Sequence, residues 1–585
     1  MASLVNEHVR YEPDEVPPPL VALGAGAQAA ALIVAPVVLT VVIVVRIAGA
    51  SESYLVWGVF AAMMVCGLTT ALQAARIGRF GSGHVLIMGT SGAFIAVSVA
   101  ALQLAGPAKL ATLVVISSLF QFLLAARLSL LRRIFTPTVA GVVIMLITAT
   151  VTPVIFDSLT QVPEGTDKAA APLAAGATLL VVAGLILRGP PSLRLWSPVL
   201  GVAAGCAVGA PFGLYDTGTV QDASWFGAPL ADWPGFDLKP DAAFWALLPA
   251  FAVVTLVGAI ETIGDGVAIQ RVSRRRPPAT DFQVVQGALN ADGTGNLLSG
   301  LAGTLPNTTY STSISLAEVT GIGARRVGII IGAIIFALAF FPKIAALLIA
   351  IPSPVAAAYI MILLALLFVQ GMRIVIQDGV DHRKALVAGL SFWLGVGFQN
   401  GWIFPDLLGD GFLAILLGNG MTSGAIAAVI MMLFLELTGP RRKRLRVELD
   451  DETLPRVSDF LRDFAIGAGW NASAAERLVL VGEETLRSMS SEDQDMPAGR
   501  RLVATARSLG REAEVEFIAA AGGENLEDRL AYLGEAPEVT DEREISFRLL
   551  RHLSTSVSHQ KYHDVEIVSV RVAAGRGGEQ PEAHS

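Results

Sequence analysis

Long runs of apolar residues, separated by short polar segments, fill most of the chain up to residue 437. A helix that crosses a lipid bilayer needs about 20 consecutive apolar residues. The pattern therefore predicts fourteen membrane-spanning helices. Their predicted bounds are 21–46, 55–73, 84–104, 108–127, 135–154, 171–188, 197–214, 243–269, 285–303, 306–320, 325–341, 344–371, 384–400 and 409–437.

Two of these spans, the third and the tenth, are interrupted by Gly, Ser, Thr and Pro. They read HVLIMGTSGAFIAVS and LPNTTYSTSISLAEV, and each is third in a half of seven spans. Halves with an odd number of spans run in opposite directions, and paired broken segments in such an inverted repeat indicate a binding site at the membrane midplane. We expect 89–91 and 307–309 to be extended and to lead into half-helices whose N–H groups face a ligand. The alternative is that the small residues only allow close helix packing.

The distribution of Arg and Lys predicts an orientation. With the N-terminus inside, 16 of these residues lie in the predicted inner loops and 5 at outer loops and span ends. This asymmetry follows the positive-inside rule. The run RRKR at 441–444 then places the C-terminal part in the cytoplasm, like the N-terminus, for a multi-pass protein of the cell membrane. The longest predicted outer loop, 215–241, is expected to be a plain surface loop, with a cap over the outer face as the alternative.

Composition narrows the class of protein. The chain of 585 residues is 53% hydrophobic and 16% charged, whereas a soluble domain has about 25% charged residues. A soluble enzyme is therefore disfavoured. No basic stripe indicates nucleic-acid binding, and the two cysteines, Cys66 and Cys206, form no disulfide or metal pattern, so no cofactor is expected. The charges are concentrated near the C-terminus, which predicts a cytoplasmic tail over 1–20, a transmembrane domain over 21–440, a cytoplasmic α/β domain over 445–575 and a disordered tail over 576–585.

The eighth predicted span carries two acidic residues in an otherwise apolar stretch, FAVVTLVGAIETIGDGVAIQRV. Glu261 and Asp265 are four residues apart, so they lie on one face of a helix, one turn apart. A charge at the bilayer centre costs about 2.5–3.5 kcal/mol, and such groups are functional by default. Either carboxyl could take up a coupling proton or accept hydrogen bonds from a planar ligand. The alternative for each is a structural acid that is hydrogen-bonded to a neighbouring broken helix.

Four further polar residues are weaker candidates. Asp292, in LNADGTGN, is expected to cap or turn the inner end of span nine. Glu318 is expected to pair with one of the arginines at 325–326. His84 is expected at the membrane interface, with a proton-relay role as the alternative. Gln28, in the first span, could contact a ligand or join two helices.

Several stretches of the sequence match a known family of membrane proteins. The stretch ADGTGNLLSGLAGTLPNTTYSTSISLAEVTGIGARRVG, over 291–328, resembles the signature region of the xanthine/uracil permeases, the nucleobase–ascorbate transporter family. The resemblance extends over the whole predicted membrane part. Further matches are ETIGD at 261–265, GSGHVLIMGTSGAF at 81–94, IPSPV at 351–355 and LGNGMTSGAIAAV at 417–429.

This resemblance implies a fold and an activity. The fold would be an α-helical polytopic membrane protein whose fourteen spans form a seven-plus-seven inverted repeat with a core domain and a gate domain. The activity would be symport of a nucleobase, either a purine or a pyrimidine, by an elevator-type alternating-access motion. The coupling ion would be H+, with Na+ as the alternative. The protein would not be an enzyme, and it would function as a homodimer in the bilayer.

The resemblance also implies a site formed by spans one, three, eight and ten. Glu261 matches the family's span-eight glutamate, which binds the base ring, and Asp265 matches the polar position one turn further along. Either of them could sense the coupling proton. The remaining candidates for substrate binding are Ser91, Gly92, Tyr310, Ser311, Thr312 and Gln28.

Several positions depart from the family pattern, among them the run Thr312, Ser313, Ile314 and Ser315. Thr312 stands where the family has Gln or Glu, Gly92 where many members have an aromatic residue, and Ala29 where a His is common. Loss of a specific polar partner usually alters selectivity strongly. We therefore expect a roomier pocket that takes a bulkier purine or a different solute. An anion carrier on the same scaffold is one alternative, which Glu261 disfavours because an acid in the pocket repels anions.

The C-terminal part predicts an α/β domain similar to the ATP-binding fold of histidine kinases and anti-sigma factors. Ser488 replaces the Asn of that family's N box, and Ala519–Ala521 stand where an Asp-Gly segment is expected. We therefore expect a degenerate domain that does not bind ATP and that serves regulation or stability. A membrane sensor that signals through this domain is a further alternative, disfavoured by the same replacements. The predicted elements are the strands RLRVELD, RLVATARSL, EAEVEFIAAA and DVEIVSVRV and helices over 473–490 and EISFRLLRHLST.

Overall fold

The structure is a computed structural model of the chain. It divides into a membrane unit, Val5–Pro277 with Val284–Phe434, and a C-terminal unit, Leu435–Ser585 with two short pieces, Met1–Leu4 and Pro278–Gln283. The residues that the structure describes are 6, 8–131, 136–163, 165–215, 218–275, 281–377, 382–408, 412–438, 442–448, 453–490, 501–509, 512–520, 549–561 and 565–574.

The membrane unit consists of helices and two three-residue strands. In chain order these are α1 (Pro19–Ile47), α2 (Glu52–Ala75), β1 (Met88–Thr90), α3 (Ile95–Leu131), α4 (Pro137–Ser158), α5 (Ala170–Arg188), α6 (Pro191–Gly209), α7 (Gly218–Asp222), α8 (Ala242–Val272), α9 (Phe282–Ala302), β2 (Asn307–Thr309), α10 (Thr312–Thr320), α11 (Arg325–Ala339), α12 (Pro342–Ile349), α13 (Ser353–Gln377), α14 (His382–Gln399), α15 (Pro405–Leu408), α16 (Phe412–Gly418) and α17 (Gly420–Thr438).

These helices make the chain a multi-pass membrane protein. Within the described part of the chain, nine helices are long and apolar enough to cross a membrane, or ten if α11 and α12, which meet at 84°, form one bent span. Some of the fourteen predicted spans do not correspond to one long apolar helix. The second half of predicted span three and all of predicted span four lie in the single helix α3, where Gly106 has a φ of +79° that departs from helical geometry. The first half of span three contains β1, and predicted span ten consists of β2 and the nine-residue helix α10.

Glycines bring pairs of membrane helices into backbone contact. A Cβ at Gly67 of α2 would lie 2.6 Å from the carbonyl oxygen of Gly332 in α11. A Cβ at Gly300 of α9 would lie 2.7 Å from the backbone nitrogen of Val115 in α3. No larger residue fits at either place without a shift of the backbone, and such close approach through small residues is typical of membrane helices.

The predicted outer loop 215–241 forms ion pairs and hydrogen bonds with residues of several helices. This corrects the expectation of a plain surface loop. Lys109 of α3, whose side chain is 1% exposed, forms ion pairs with Asp237 at 2.9 Å and Asp241 at 3.2 Å. Further along the same loop, the Nε1 of Trp233 donates a hydrogen bond to a carbonyl near the end of α9. A buried ammonium needs such partners, so the loop is held in place by α3 and α9.

The residues before α1 lie against the ends of α8 and α10. We call 8–15 the N-terminal segment. The N–H of Tyr11 donates to the carbonyl of Gly321, just after α10, at 3.1 Å. Arg275, just after α8, donates to both carboxylate oxygens of Glu15 at 2.8 Å. The segment therefore connects the ends of two helices that contribute to the candidate site.

The C-terminal unit has a five-stranded antiparallel sheet with strand order β3-β4-β5-β7-β6. Leu502, Ala504 and Ala506 alternate along β4 and are fully buried, in a core shared with Leu461 of α18 and Leu478 of α19. The two helices thus cover one face of the sheet. The elements are β3 (Lys443–Glu448), α18 (Thr453–Gly467), α19 (Ala472–Ser490), β4 (Arg501–Ser508), β5 (Glu512–Ala520), β6 (Ser556–Lys561) and β7 (Val565–Ala573).

The four predicted strands and the predicted helix over 473–490 are confirmed, whereas α18 and β6 were not predicted. Of the predicted helix EISFRLLRHLST, the structure describes its second half, which is helical over 549–553. Ala521 and the predicted disordered tail over 576–585 lie outside the described residues.

Candidate functional site

The two broken segments meet in the membrane unit. β1 and β2 pair in antiparallel fashion, with Gly89 opposite Thr308 and Thr90 opposite Asn307. All six strand residues are buried. The predicted extended conformation is therefore confirmed. Because the strands are antiparallel, the helices that follow them, α3 after a short 3₁₀ turn and α10, begin at opposite ends of the pair.

Tyr310 closes this strand pair. Its hydroxyl donates to the carbonyl oxygen of Thr90 at 2.9 Å. Its ring lies over Gly89, where a Cβ would be 2.5 Å from the ring Cζ. Only a glycine at position 89 leaves room for the ring, so this predicted binding residue also has a clear packing role.

Asp265 is hydrogen-bonded to the second broken segment. It is 5% exposed, and its two oxygens accept hydrogen bonds from the hydroxyls of Thr309 and Ser311, each at 2.7 Å. Charge-assisted hydrogen bonds of this kind are stronger than neutral ones. Asp265 therefore ties α8 to β2 and to the start of α10, as expected for the structural alternative.

Glu261 lies one turn earlier on the same helix and is half-buried. Among the described residues, no side chain or backbone group donates a hydrogen bond to its carboxyl or forms an ion pair with it. Gly258, three residues earlier on the same face, is buried, yet a Cβ there would meet no heavy atom within 4 Å. A Cβ at Gly92, at the start of the 3₁₀ turn, would likewise meet no heavy atom within 4 Å. On α8, free space therefore lies about one turn before the unpartnered carboxyl.

Exposure increases along α8 from Gly258 to Gly264. Along this helix face, Gly258 is buried, Glu261 is half-buried and Gly264 is exposed. Ser311 and Thr312 of the second broken segment are also exposed, whereas Ser91 of the first is buried at 1% exposure. Among the candidate residues, Ser311 and Thr312 of the second broken segment are therefore more exposed than Ser91 of the first.

A second buried acid was not predicted to belong to this region. Asp292 lies within α9 and is 1% exposed, which corrects the expectation of a cap or turn at a helix end. Its Oδ2 accepts hydrogen bonds from Gln121 at 2.7 Å and Thr262 at 3.1 Å. Gln121 in turn accepts one from Asn296, one turn further along α9. The four-residue spacing of Asp292 and Asn296 was the available sequence signal.

Three other predicted residues occupy different environments. Gln28 is half-buried in α1 and has no hydrogen-bond partner among the residues that the structure describes. His84 is buried at 4% exposure, and its Nδ1 lies 3.0 Å from the carbonyl oxygen of Ser82; its position at the membrane interface stays a prediction. Glu318 is exposed and forms no ion pair within the described chain, because Arg325 pairs with Asp14 at 3.2 Å instead.

A cavity of about 450 Å³ lies elsewhere in the membrane unit, and none of the predicted site residues lines it. Its polar lining includes Gln103 and Gln399, and α8 contributes Leu247. Leu247 precedes Glu261 by fourteen residues, which is about 21 Å along a helix, whereas Ala96 of the same lining follows Gly92 by four residues. The cavity therefore shares no lining residue with the candidate site, but one part of it begins about one helical turn from Gly92.

Residues 21–401, more than half of the chain, match the model of the xanthine/uracil permease family. The chain belongs to this family. It is a permease, and thus a transporter rather than an enzyme. All the predicted site residues lie within the matched range, whereas residues 435–585 lie outside it.

Similar proteins fit this assignment. A protein of Clostridium perfringens, whose name describes it as a candidate purine permease, is 29% identical over 379 residues, which are 63% of this chain and 80% of that protein. The xanthine permease XanP of Escherichia coli is 27% identical over 392 residues, 63% of this chain and 82% of XanP. Among solved structures, the transmembrane domain of the cyanobacterial bicarbonate transporter BicA aligns with a TM-score of 0.45 at 17% identity, over 70% of this chain and 96% of that domain.

Proposed function

We propose that this permease imports a nucleobase together with protons. The observation that carries the proposal is the carboxyl of Glu261, which is half-buried and unpartnered beside the paired broken segments. A buried carboxylate without partners is costly in the absence of a ligand. The names of the two similar permeases, for purines and for xanthine, support a nucleobase as that ligand.

The groups around Glu261 suit a flat heterocycle that has both N–H and carbonyl groups on its edge. The Glu261 carboxylate accepts ring N–H groups. The backbone N–H groups of Gly92 and Thr312 have no acceptor in the described chain and stand at helix starts, where they can donate to ring carbonyls. The free space at Gly92 supports a substrate bulkier than a bare pyrimidine.

The helix pairs support a fourteen-span inverted repeat. In the predicted numbering, the Gly67–Gly332 contact joins spans two and eleven, and the Gly300–Val115 contact joins spans nine and four. A seven-span offset exchanges these two pairs, and it exchanges spans three and ten, which contain β1 and β2. An elevator-type motion would move the helices of the site as one body, the core domain, against a gate domain.

Three further features are proposed. The protein lies in the cell membrane with both termini in the cytoplasm. The permease forms a homodimer, which light scattering of the purified protein would test. The C-terminal unit does not bind ATP. In support, the hydroxyl of Ser488 donates to the carbonyl of Glu484 within its own helix and so is not directed at a ligand.

Uptake of labelled xanthine, uracil, adenine and guanine into cells that express the chain tests the proposed function. We expect saturable uptake of at least one base that an uncoupler abolishes. Glu261→Gln should lower uptake by about 10- to 100-fold, because a hydrogen bond to a charged group contributes about 1.5–3 kcal/mol. Glu318→Gln, at an exposed acid without an ion pair in the described chain, is the matched control and should behave as wild type.

Two outcomes would overturn the proposal. One is uptake of no base at normal membrane abundance. The other is wild-type uptake by Glu261→Gln, which would show that its carboxyl does not bind the substrate. Uptake of labelled sulfate in the same cells would instead favour an anion carrier.

A further inference from the structure

Two buried hydroxyl groups link the acids Asp265 and Asp292, and together with one carboxylate oxygen of each acid they make a row of four oxygen atoms. The hydroxyl of Thr309 donates to Asp265 at 2.7 Å, and the hydroxyl of Thr262 donates to Asp292 at 3.1 Å. The two hydroxyl oxygens are 3.3 Å apart. None of the four side chains is more than 5% exposed. A continuous chain of oxygens therefore runs from α8 through β2 to α9, away from water.

This row of oxygens has one proton fewer than the number of hydrogen bonds that it could form. Four oxygens make three links, and two ionised carboxylates with two hydroxyls supply two protons. With both hydroxyls donating to their carboxylates, the contact between Thr262 and Thr309 holds no proton. One additional proton on Asp265 or Asp292 fills all three links, because each hydroxyl can then donate along the chain. A single added proton therefore turns all three oxygen–oxygen contacts into hydrogen bonds.

The described surroundings supply no positive charge that is paired with either acid. The nearest titratable group on α8 is Glu261, itself an acid. On the neighbouring elements, the thiol of Cys66 and the hydroxyl of Tyr310 donate to carbonyls of β1. In the described chain, no Lys, Arg or His forms an ion pair with these acids. The Oδ1 of Asp292 is buried and has no partner among those residues.

We propose that Asp265 and Asp292 share one transported proton through Thr309 and Thr262. This inference rests on the proposed function and adds to it a proton site that is separate from Glu261. The proton enters at Asp265, which accepts a hydrogen bond from the exposed Ser311. Glu261 can then stay ionised for the substrate while the proton is held one helix deeper.

The transfer balances without any other reactant. Asp265 gives its proton to the Thr309 oxygen as Thr309 passes its own proton to Thr262. Thr262 passes its proton to Asp292. Three O–H bonds break and three form, each hydroxyl ends with one proton, and the net change is one proton moved between the two carboxyls.

Thr262→Val removes one hydroxyl of the chain at nearly constant side-chain volume. We expect the purified full chain, reconstituted in vesicles that contain a pH-sensitive dye, to lose proton-driven xanthine accumulation by about 10-fold or more. Xanthine exchange at equal pH and xanthine binding should remain, because Glu261 is intact. Thr262→Ser keeps the hydroxyl and should restore coupling. Thr255→Val, at a buried hydroxyl of the same helix without a partner in the described chain, is the matched control.

Infrared difference spectroscopy gives a second measurement that needs no substrate. A shared proton predicts the C=O stretch of a protonated carboxyl in the purified protein. The band should be lost in Asp292→Asn, shifted in Thr262→Val and unchanged in Thr255→Val. A wild-type proton-to-xanthine ratio in Thr262→Val, or no carboxyl band that depends on Thr262, would overturn the relay. Failure of the wild type to bind or carry any base would instead overturn the proposed function, and the infrared bands would still decide the relay.

Discussion

Two glycines three residues apart in the first broken segment have opposite surroundings. A Cβ at Gly89 would lie 2.5 Å from the Tyr310 ring, whereas a Cβ at Gly92 meets nothing within 4 Å. We expect Gly89→Ala to displace the ring, break its hydrogen bond to Thr90 and lower the free energy of unfolding by about 1–3 kcal/mol. Gly92→Ala should leave the thermal melting temperature of the detergent-purified protein unchanged. Equal melting temperatures for the two variants would show that the ring does not depend on Gly89.

The two acids of α8 show how far single residues can be interpreted from the sequence. Their four-residue spacing in an apolar span predicted that both face one buried side of a helix. It did not predict that Asp265 is bonded to Thr309 and Ser311 while Glu261 has no partner in the described chain. That difference depends on the pairing of β1 with β2, which brings together segments more than 200 residues apart. Helix periodicity contains no information about such a contact.

At the scale of elements, the N-terminal segment should stabilise the ends of α8 and α10. Glu15→Gln or Arg275→Gln removes the paired hydrogen bonds at 2.8 Å. We expect either variant to lower the melting temperature of the purified protein, and the exchanged pair, Glu15→Arg with Arg275→Glu, to recover part of the loss. Glu318→Gln, on α10 but outside this contact, is the control. An unchanged melting temperature in both single variants would mean that the segment does not stabilise these helix ends.

The pH dependence of this contact has a definite sign. Hydrogen bonds from the Arg275 guanidinium hold the pKa of Glu15 below its ordinary value of 4.5. A carboxyl with a lowered folded-state pKa stabilises the fold above its ordinary pKa, and the contribution is lost as the pH falls through the folded-state value. The melting difference between wild type and Glu15→Gln should therefore be constant from about pH 6 to pH 8 and should shrink below about pH 4. A difference that grows on acidification would contradict the pairing.

Elements were predicted best where one physical signal determines them. Long apolar runs predicted α1, α2 and α8 closely, because length and hydropathy suffice for a buried membrane helix. The separation of spans three and four was less clear, since it depends on a single backbone angle at Gly106 within α3. The helix α18 is strongly amphipathic and polar on one side. It is therefore harder to recognise from hydropathy alone.

At the scale of the whole molecule, the two units have separate apolar cores. The core of the membrane unit is formed by buried residues between Ala22 and Ala425, and that of the C-terminal unit by buried residues between Val447 and Val572. The family match covers residues 21–401, which is most of the membrane unit, and it ends before Leu435, where the long segment of the C-terminal unit begins. The candidate site lies wholly within the membrane unit.

Removal of residues 446–585 should therefore leave a working permease. The truncation takes away every residue of the second core and none of the first. It also removes Arg507, which pairs with Glu436 at the end of α17, but Arg442, the other partner of Glu436, remains. We expect base uptake per molecule to persist at the same KM, with any change confined to the maximal rate, because the Glu261 site is untouched.

Uptake should be measured against membrane abundance of a fluorescent fusion, with Glu261→Gln in the truncated chain as the negative control. Loss of all uptake at normal abundance would mean that the C-terminal unit is required for transport, and a ligand-dependent change in that unit without any flux would favour a sensor.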